Sequence, residues 1–131
     1  MRVKTVAALG ALRQAALAVA LIAAALGVVG PAAAQSLGGD YRVEGTNFDG
    51  SRYKGTARIT ITSNTTCRIT WSTGTEASGI CMRTDDVIAA SYKMGGSLGL
   101  IIYRLQSDGS LDGVWTIADQ SGAGTERLIP R

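Results

Sequence analysis

The chain has 131 residues, a formal charge of +3 and no histidine. Arg2, Lys4 and Arg13 carry all the surplus charge, and beyond residue 34 the 10 basic residues are matched by 10 acidic ones. A neutral remainder argues against a nucleic-acid binder, which needs a basic patch, and the missing histidine removes the commonest general base and metal ligand.

Residues 1–34 read as a secretory signal. Arg2 and Lys4 form a basic start, a long Ala/Leu/Val run follows, and Ala32 and Ala34 supply the A-x-A pattern for cleavage after Ala34. The uninterrupted apolar run, residues 15–29, is shorter than the roughly 20 residues that span a bilayer. No cysteine stands at the cleavage point, which argues against a lipid anchor. Residues 35–131 are therefore expected to form one small domain, periplasmic or secreted.

Strand-like runs then alternate with Gly, Asp, Ser and Asn clusters about every 10 residues, as in an antiparallel sandwich or barrel. Tyr41, Val43 and Gly45 share one face of a first strand. Gly55, Ala57, Ile59 and Ile61 share a face of the second, and Cys67, Ile69 and Trp71 a face of the third. A short fourth strand is expected over Ser78–Arg83, a fifth over Val87–Tyr92 and a sixth over Leu98–Leu105. The seventh runs Leu111–Ala118 and the eighth Thr125–Ile129. No segment beyond residue 34 shows the 3.6-residue apolar period of a helix. The sixth strand is apolar on both faces, so it is either covered twice or offers its outer face as a contact surface. Asp49-Gly50, Asp108-Gly109 and Gly95-Gly96 are tight-turn chemistry. Short turns between successive strands imply an up-and-down meander. Seven or eight such strands close most simply as a β-barrel, which also hides the strand edges. Gly55 and Gly113 inside strands are expected to mark bulges or barrel corners.

Cys67 and Cys81 are the only cysteines, and in an exported domain an even count implies a disulfide bond. A redox pair would favour C-x-x-C spacing and a helix N-terminus, and neither is present. A weak internal echo pairs Asp49-Gly50-Ser51 with Asp108-Gly109-Ser110, read as two similar hairpin turns or as an old duplication.

Catalytic signals are weak. Without histidine a nucleophilic serine would need a lysine or carboxylate nearby, and beyond residue 34 the only lysines are Lys54 and Lys93; Asp85-Asp86 does not match a calcium loop. No enzyme activity, cofactor or metal is expected. Glu126 is sharper: it shares a strand face with Gly124 and Leu128, so it points inward if Leu128 does. It is then either half of a buried structural pair with a partner such as Arg, or a polar anchor inside a ligand cavity. Trp71 and Trp115 lie in phase with the apolar faces of their strands, as core residues or as lining of such a cavity. Arg58, Arg68 and Tyr103 are candidates for an outer recognition surface, because Arg and Tyr are enriched at binding hot spots.

The run Tyr41-x-Val43-x-Gly45-Thr46-Asn47-x-Asp49-Gly50-Ser51-x-Tyr53-x-Gly55-Thr56 resembles the opening of a family of small exported alphaproteobacterial proteins. Thr66-Cys67-x-Ile69-x-Trp71, Gly79-Ile80-Cys81-Met82, Asp108-Gly109-x-Leu111-x-Gly113-x-Trp115-Thr116 and Gly124-Thr125-Glu126-x-Leu128 extend the resemblance over nearly all of residues 40–130. Members are commonly labelled fibronectin-binding, so the resemblance implies fibronectin as an extracellular partner. It carries over no binding residues. The chain lacks the long disordered repeats by which other adhesins add strands to fibronectin modules, so binding would use a folded surface or a strand edge. The resulting expectation is an exported barrel that serves as a binding module. The alternatives are a periplasmic barrel holding a small apolar ligand, or a hydrolase inhibitor. A cavity beside Trp71 and Trp115 would favour the ligand; a filled interior with a prominent rim loop would favour the inhibitor.

Overall fold

The computed structural model describes residues 36–131; the segment expected to be a secretory signal, with its expected cleavage point after Ala34, lies outside the described residues. Eight antiparallel strands follow one another: β1 (Gly39–Thr46), β2 (Arg52–Ile61), β3 (Thr66–Ser72), β4 (Glu76–Thr84), β5 (Val87–Met94), β6 (Ser97–Leu105), β7 (Leu111–Ile117) and β8 (Gly124–Pro130). Each pairs with the next, and β8 pairs back onto β1, so the sheet closes as an up-and-down barrel. This is the expected fold class, with eight strands. Closure corrects one expectation. Val43 faces Gly55 on one side and Leu128 on the other, so β1 offers no free edge to a partner strand.

The two-residue period sorts the side chains. Val43, Ile69, Ile88, Leu111 and Leu128 are wholly buried inside the barrel. Each such side chain contributes on the order of 2 kcal/mol of transfer free energy. One end of the barrel is stoppered by the segment before β1. Leu37 is buried there, and the Tyr41 hydroxyl donates to the Leu37 carbonyl at 2.6 Å. Ile61 keeps the inward phase, but at the end of β2 it runs past the barrel rim and is half exposed. Cys67 and Cys81 lie directly opposite each other on β3 and β4, with Cα atoms 4.9 Å apart, and form the disulfide inside the wall.

Glycines shape the interior in two ways. At Gly55 and Gly79 an added Cβ would collide with the carbonyl oxygens of Ser72 and Ser91, so the chain turns a tight barrel corner there. At Gly45, Gly99, Gly113 and Gly124 the obstacle is a ring. These face Tyr53, Tyr92, Tyr103 and Trp115 across the ladder, and each ring lies over its glycine where a Cβ would be. Gly113 is therefore a seat for Tyr103 rather than a corner.

The internal echo is structural as well as verbal. In the β1–β2 turn Asp49 accepts hydrogen bonds from the Ser51 amide at 2.9 Å and hydroxyl at 2.6 Å. In the β6–β7 turn Asp108 accepts the same pair from Ser110, at 2.9 and 2.5 Å. Gly50 and Gly109 both have φ of 83°, in the left-handed region that favours glycine. The serine hydrogen bonds hold both carboxyls below the usual carboxylate range.

Candidate functional site

The end of the barrel opposite Leu37 is formed by the β1–β2, β3–β4, β5–β6 and β7–β8 hairpins. A cavity of about 210 Å³ opens there. Tyr53, Trp71, Tyr92, Met94, Trp115 and Glu126 line it, with Asn47, Thr73 and Thr75 from the turns. A dry cavity of roughly 150 Å³ accepts benzene, so this one has room for a ligand of one or two small rings.

Glu126 is the centre of the site. It points inward with Leu128 and is only 7% exposed. Its Oε1 accepts the Tyr103 hydroxyl at 2.5 Å and the Trp71 indole N–H at 2.9 Å, while Oε2 accepts the Tyr53 hydroxyl at 2.7 Å. The Trp71 N–H also reaches the Tyr103 oxygen at 3.2 Å. The expected arginine partner is a correction: three neutral donors hold this carboxylate, and it forms no ion pair among the described residues. The cations of β1–β8 are all exposed: eight stand on outward positions, and Arg83, which keeps the inward phase, lies at the far end of β4 and donates to the Asp85 carbonyl at 2.7 Å. Burial pushes the Glu126 carboxyl above the usual range, and the Tyr103, Tyr53 and Trp71 hydrogen bonds pull it partly back.

The rings around it respond in kind. Burial, and then the charge of Glu126, push Tyr53 and Tyr103 well above an ordinary phenol, and Tyr92 up to about 12. Tyr92 is anchored by donating to the Thr116 carbonyl at 2.9 Å, and its ring meets Trp71 edge-on with centroids 5.7 Å apart. Trp115 lies edge-on to Tyr53 at 6.3 Å and is stacked by Phe48, from the β1–β2 turn, at 4.8 Å. Its Nε1–H is buried and lies near the Tyr53 hydroxyl oxygen, but not in hydrogen-bonding geometry, alone in this among buried side-chain polar atoms of the described residues. A buried donor left unpaired beside a cavity is suited to a ligand acceptor.

Trp71, Trp115 and Glu126 are thus brought together, as the cavity reading expects. Tyr103 is not where it was expected. It is wholly buried and bonded to Glu126, so it belongs to the interior and not to an outer recognition surface. Because β6 is apolar on both faces, its alternation carries no sign, and pairing with Gly113 decides it. The outward residues of β6 are Leu98, Leu100 and Ile102. Arg58 and Arg68 do face outward. Arg58 pairs with Asp40 through two hydrogen bonds of 2.8 and 3.0 Å, and Arg68 lies diagonal to it on β3, opposite Thr60. Tyr53, Tyr92 and Met94 were missed by sequence reasoning. The signal was available for Tyr53, because the short turn after Thr46 sets it opposite Gly45.

The outer wall is divided. Ile80 and Met82 on β4, Leu98, Leu100 and Ile102 on β6 and Val114 on β7 are each more than half exposed. Met82, Ala89, Ile102 and Val114 fall in one cross-strand row. Among the described residues, no group of three His, Cys, Asp or Glu side chains could hold a metal ion.

No family model and no curated protein matches this chain. Solved structures do. The chain is similar to a redesigned β-barrel, mFAP1, bound to DFHBI, with 23% identity, a TM-score of 0.63, and coverage of 71% of this chain and 94% of that one. A second redesigned barrel, b11L5F_LGL, gives 20% identity, a TM-score of 0.66, and coverage of 72% and 91%. A de novo designed fluorescence-activating β-barrel gives 15% identity, a TM-score of 0.60, and coverage of 72% and 93%. At these identities the likeness is one of fold: a small closed antiparallel β-barrel.

Proposed function

We propose that this protein is an exported small-molecule-binding barrel that holds its ligand in the mouth cavity, between Trp71 and Trp115 and above Glu126. The observation that carries this reading is the coincidence, in one cavity, of an apolar aromatic lining, a buried carboxylate and an unpaired buried indole N–H. The disulfide fits an oxidising, exported location. The similar fold of a designed barrel bound to DFHBI and of a fluorescence-activating one lends support, because barrels of this architecture hold small molecules. The inhibitor alternative has less support, since the rim turns are short and the interior is not filled.

The test uses the tryptophans. The chain has only two, and both line the cavity, so intrinsic fluorescence reports on the site alone. Titration with small neutral ring compounds, such as cyclohexanol and benzyl alcohol, is expected to give a saturable change that W115F reduces. Responses that stay linear across such compounds would overturn the reading.

A second reading is docking of an extracellular protein on the outer wall, with fibronectin as the partner the family resemblance implies. The exposed row through Met82, Ile102 and Val114 favours it. Binding to immobilised fibronectin would be measured at about 0.15 M salt, where surface electrostatics are screened. Saturable binding lost in I102E would support it, and no binding at tens of micromolar would reject it.

A further inference from the structure

The cavity combines two features that recognise the same kind of ligand. Four rings, Tyr53, Trp71, Tyr92 and Trp115, line one small space, and aromatic rings attract cations through their electron-rich faces. Glu126 lies in the same lining and has three neutral donors but no cation. A carboxylate offers about four acceptor positions, and only three are taken, so one stays open. The titratable groups that face Glu126 are Tyr53, Tyr92 and Tyr103, all of them neutral at physiological pH. A buried charge without a counter-ion costs folding free energy, and a cationic ligand beside Glu126 would offset that cost.

We propose that the cavity takes a compact organic cation, a quaternary or tertiary ammonium, whose charge pairs with Glu126 and whose methyl groups contact the aromatic lining. This deepens the small-ligand reading and rests on it. A strongly hydrated cation such as ammonium or lysine's head would have to shed water that the apolar lining cannot replace. A methylated ammonium has little to shed and fills the cavity with apolar surface. The Trp115 N–H, unpaired in the same lining, then serves an acceptor on the ligand such as a hydroxyl or carbonyl.

Choline and its neutral carbon isostere, in which a quaternary carbon replaces the nitrogen, have nearly the same shape and differ in charge. They would be titrated into the oxidised wild-type protein by tryptophan fluorescence, with cyclohexanol as a neutral probe. The expected result is saturable binding of choline at least about tenfold tighter than of the isostere. E126Q, which keeps the shape of the side chain, is expected to bring the ratio of choline to isostere affinity down to about one. If E126Q fails to fold, the wild-type comparison still decides. Equal binding of choline and isostere would overturn the cation assignment and leave the small-ligand reading standing. Binding of cyclohexanol but of neither choline nor the isostere would do the same. Failure of all three probes would overturn both.

Discussion

Replacing Tyr103 by Phe tests the polar centre of the barrel. The ring would stay seated over Gly113, and only the hydroxyl would go. That hydroxyl donates to Glu126 Oε1 at 2.5 Å, and Tyr103 is wholly buried, so water cannot easily replace it. A hydrogen bond to a charged group is worth about 1.5–3 kcal/mol and a neutral one about 1 kcal/mol. Y103F is therefore expected to cost about 2 kcal/mol at neutral pH, or roughly 10 °C in Tm for a domain of this size. The cost should also depend on pH. The Glu126 carboxyl titrates above the usual 4.5, so near pH 4 it is protonated and the lost bond is a neutral one. The penalty should then fall to about 1 kcal/mol. Y41F is the control. It removes a hydroxyl bonded to a backbone carbonyl, and its cost should be about 1 kcal/mol at both pH values. Urea unfolding of the three proteins at both pH values, followed by tryptophan fluorescence, measures these differences. A Y103F cost equal to that of Y41F at neutral pH would refute the picture of Glu126 as a carboxylate held by neutral donors.

Other outcomes follow from the same geometry. Burial raises all four tyrosines, the chain's full complement, so the native protein should show no tyrosinate near pH 10 in an ultraviolet titration. The sign is set by linkage: a group whose folded pKa is raised supports the fold below its unfolded value, and that support is lost as pH rises. Ionisation should therefore coincide with unfolding above pH 10, and a separate native transition near 10 would count against the burial of these phenols. Reducing the disulfide, whose cysteines are 14 residues apart, should cost about 3 kcal/mol in urea unfolding under thiol, and an unchanged midpoint would contradict it. G79A should cost more than G99A. The first drives a methyl group into the Ser91 carbonyl of the backbone, whereas the second meets the Tyr92 side chain, which can give way by releasing its bond to Thr116, and overpacking of that kind costs about 1–3 kcal/mol. Comparable thermal midpoints for the two would refute that distinction.

Much of the fold was legible along the chain because its signals are local. The period of two in Cys67, Ile69 and Trp71, and the Asp-Gly turns at Asp49 and Asp108, depend only on near neighbours. They led to an antiparallel meander, its number of strands to within one, and a Glu126 that points wherever Leu128 does, while the count of two cysteines implied the bond between Cys67 and Cys81. Patterning failed where both faces of a strand are apolar. On β6, Tyr103 and Ile102 are equally good candidates for the interior, and only pairing with β7 separates them.

What the sequence determined by itself was therefore the set of strands and the side of each that a carboxylate or tryptophan would occupy. What only the tertiary structure decided was who meets whom across the interior. Tyr53 from β2, Trp71 from β3 and Tyr103 from β6 converge on Glu126 from β8 because closure of the barrel joins its last strand to its first. The partner expected from charge was an arginine. Three neutral donors stand there instead, because the cations of the strands lie on outward positions or, for Arg83, at the opposite rim of the closed sheet. The cavity has the same origin. Rings seated over glycines leave space at one mouth, while Leu37 fills the other, and neither is visible until the register is set.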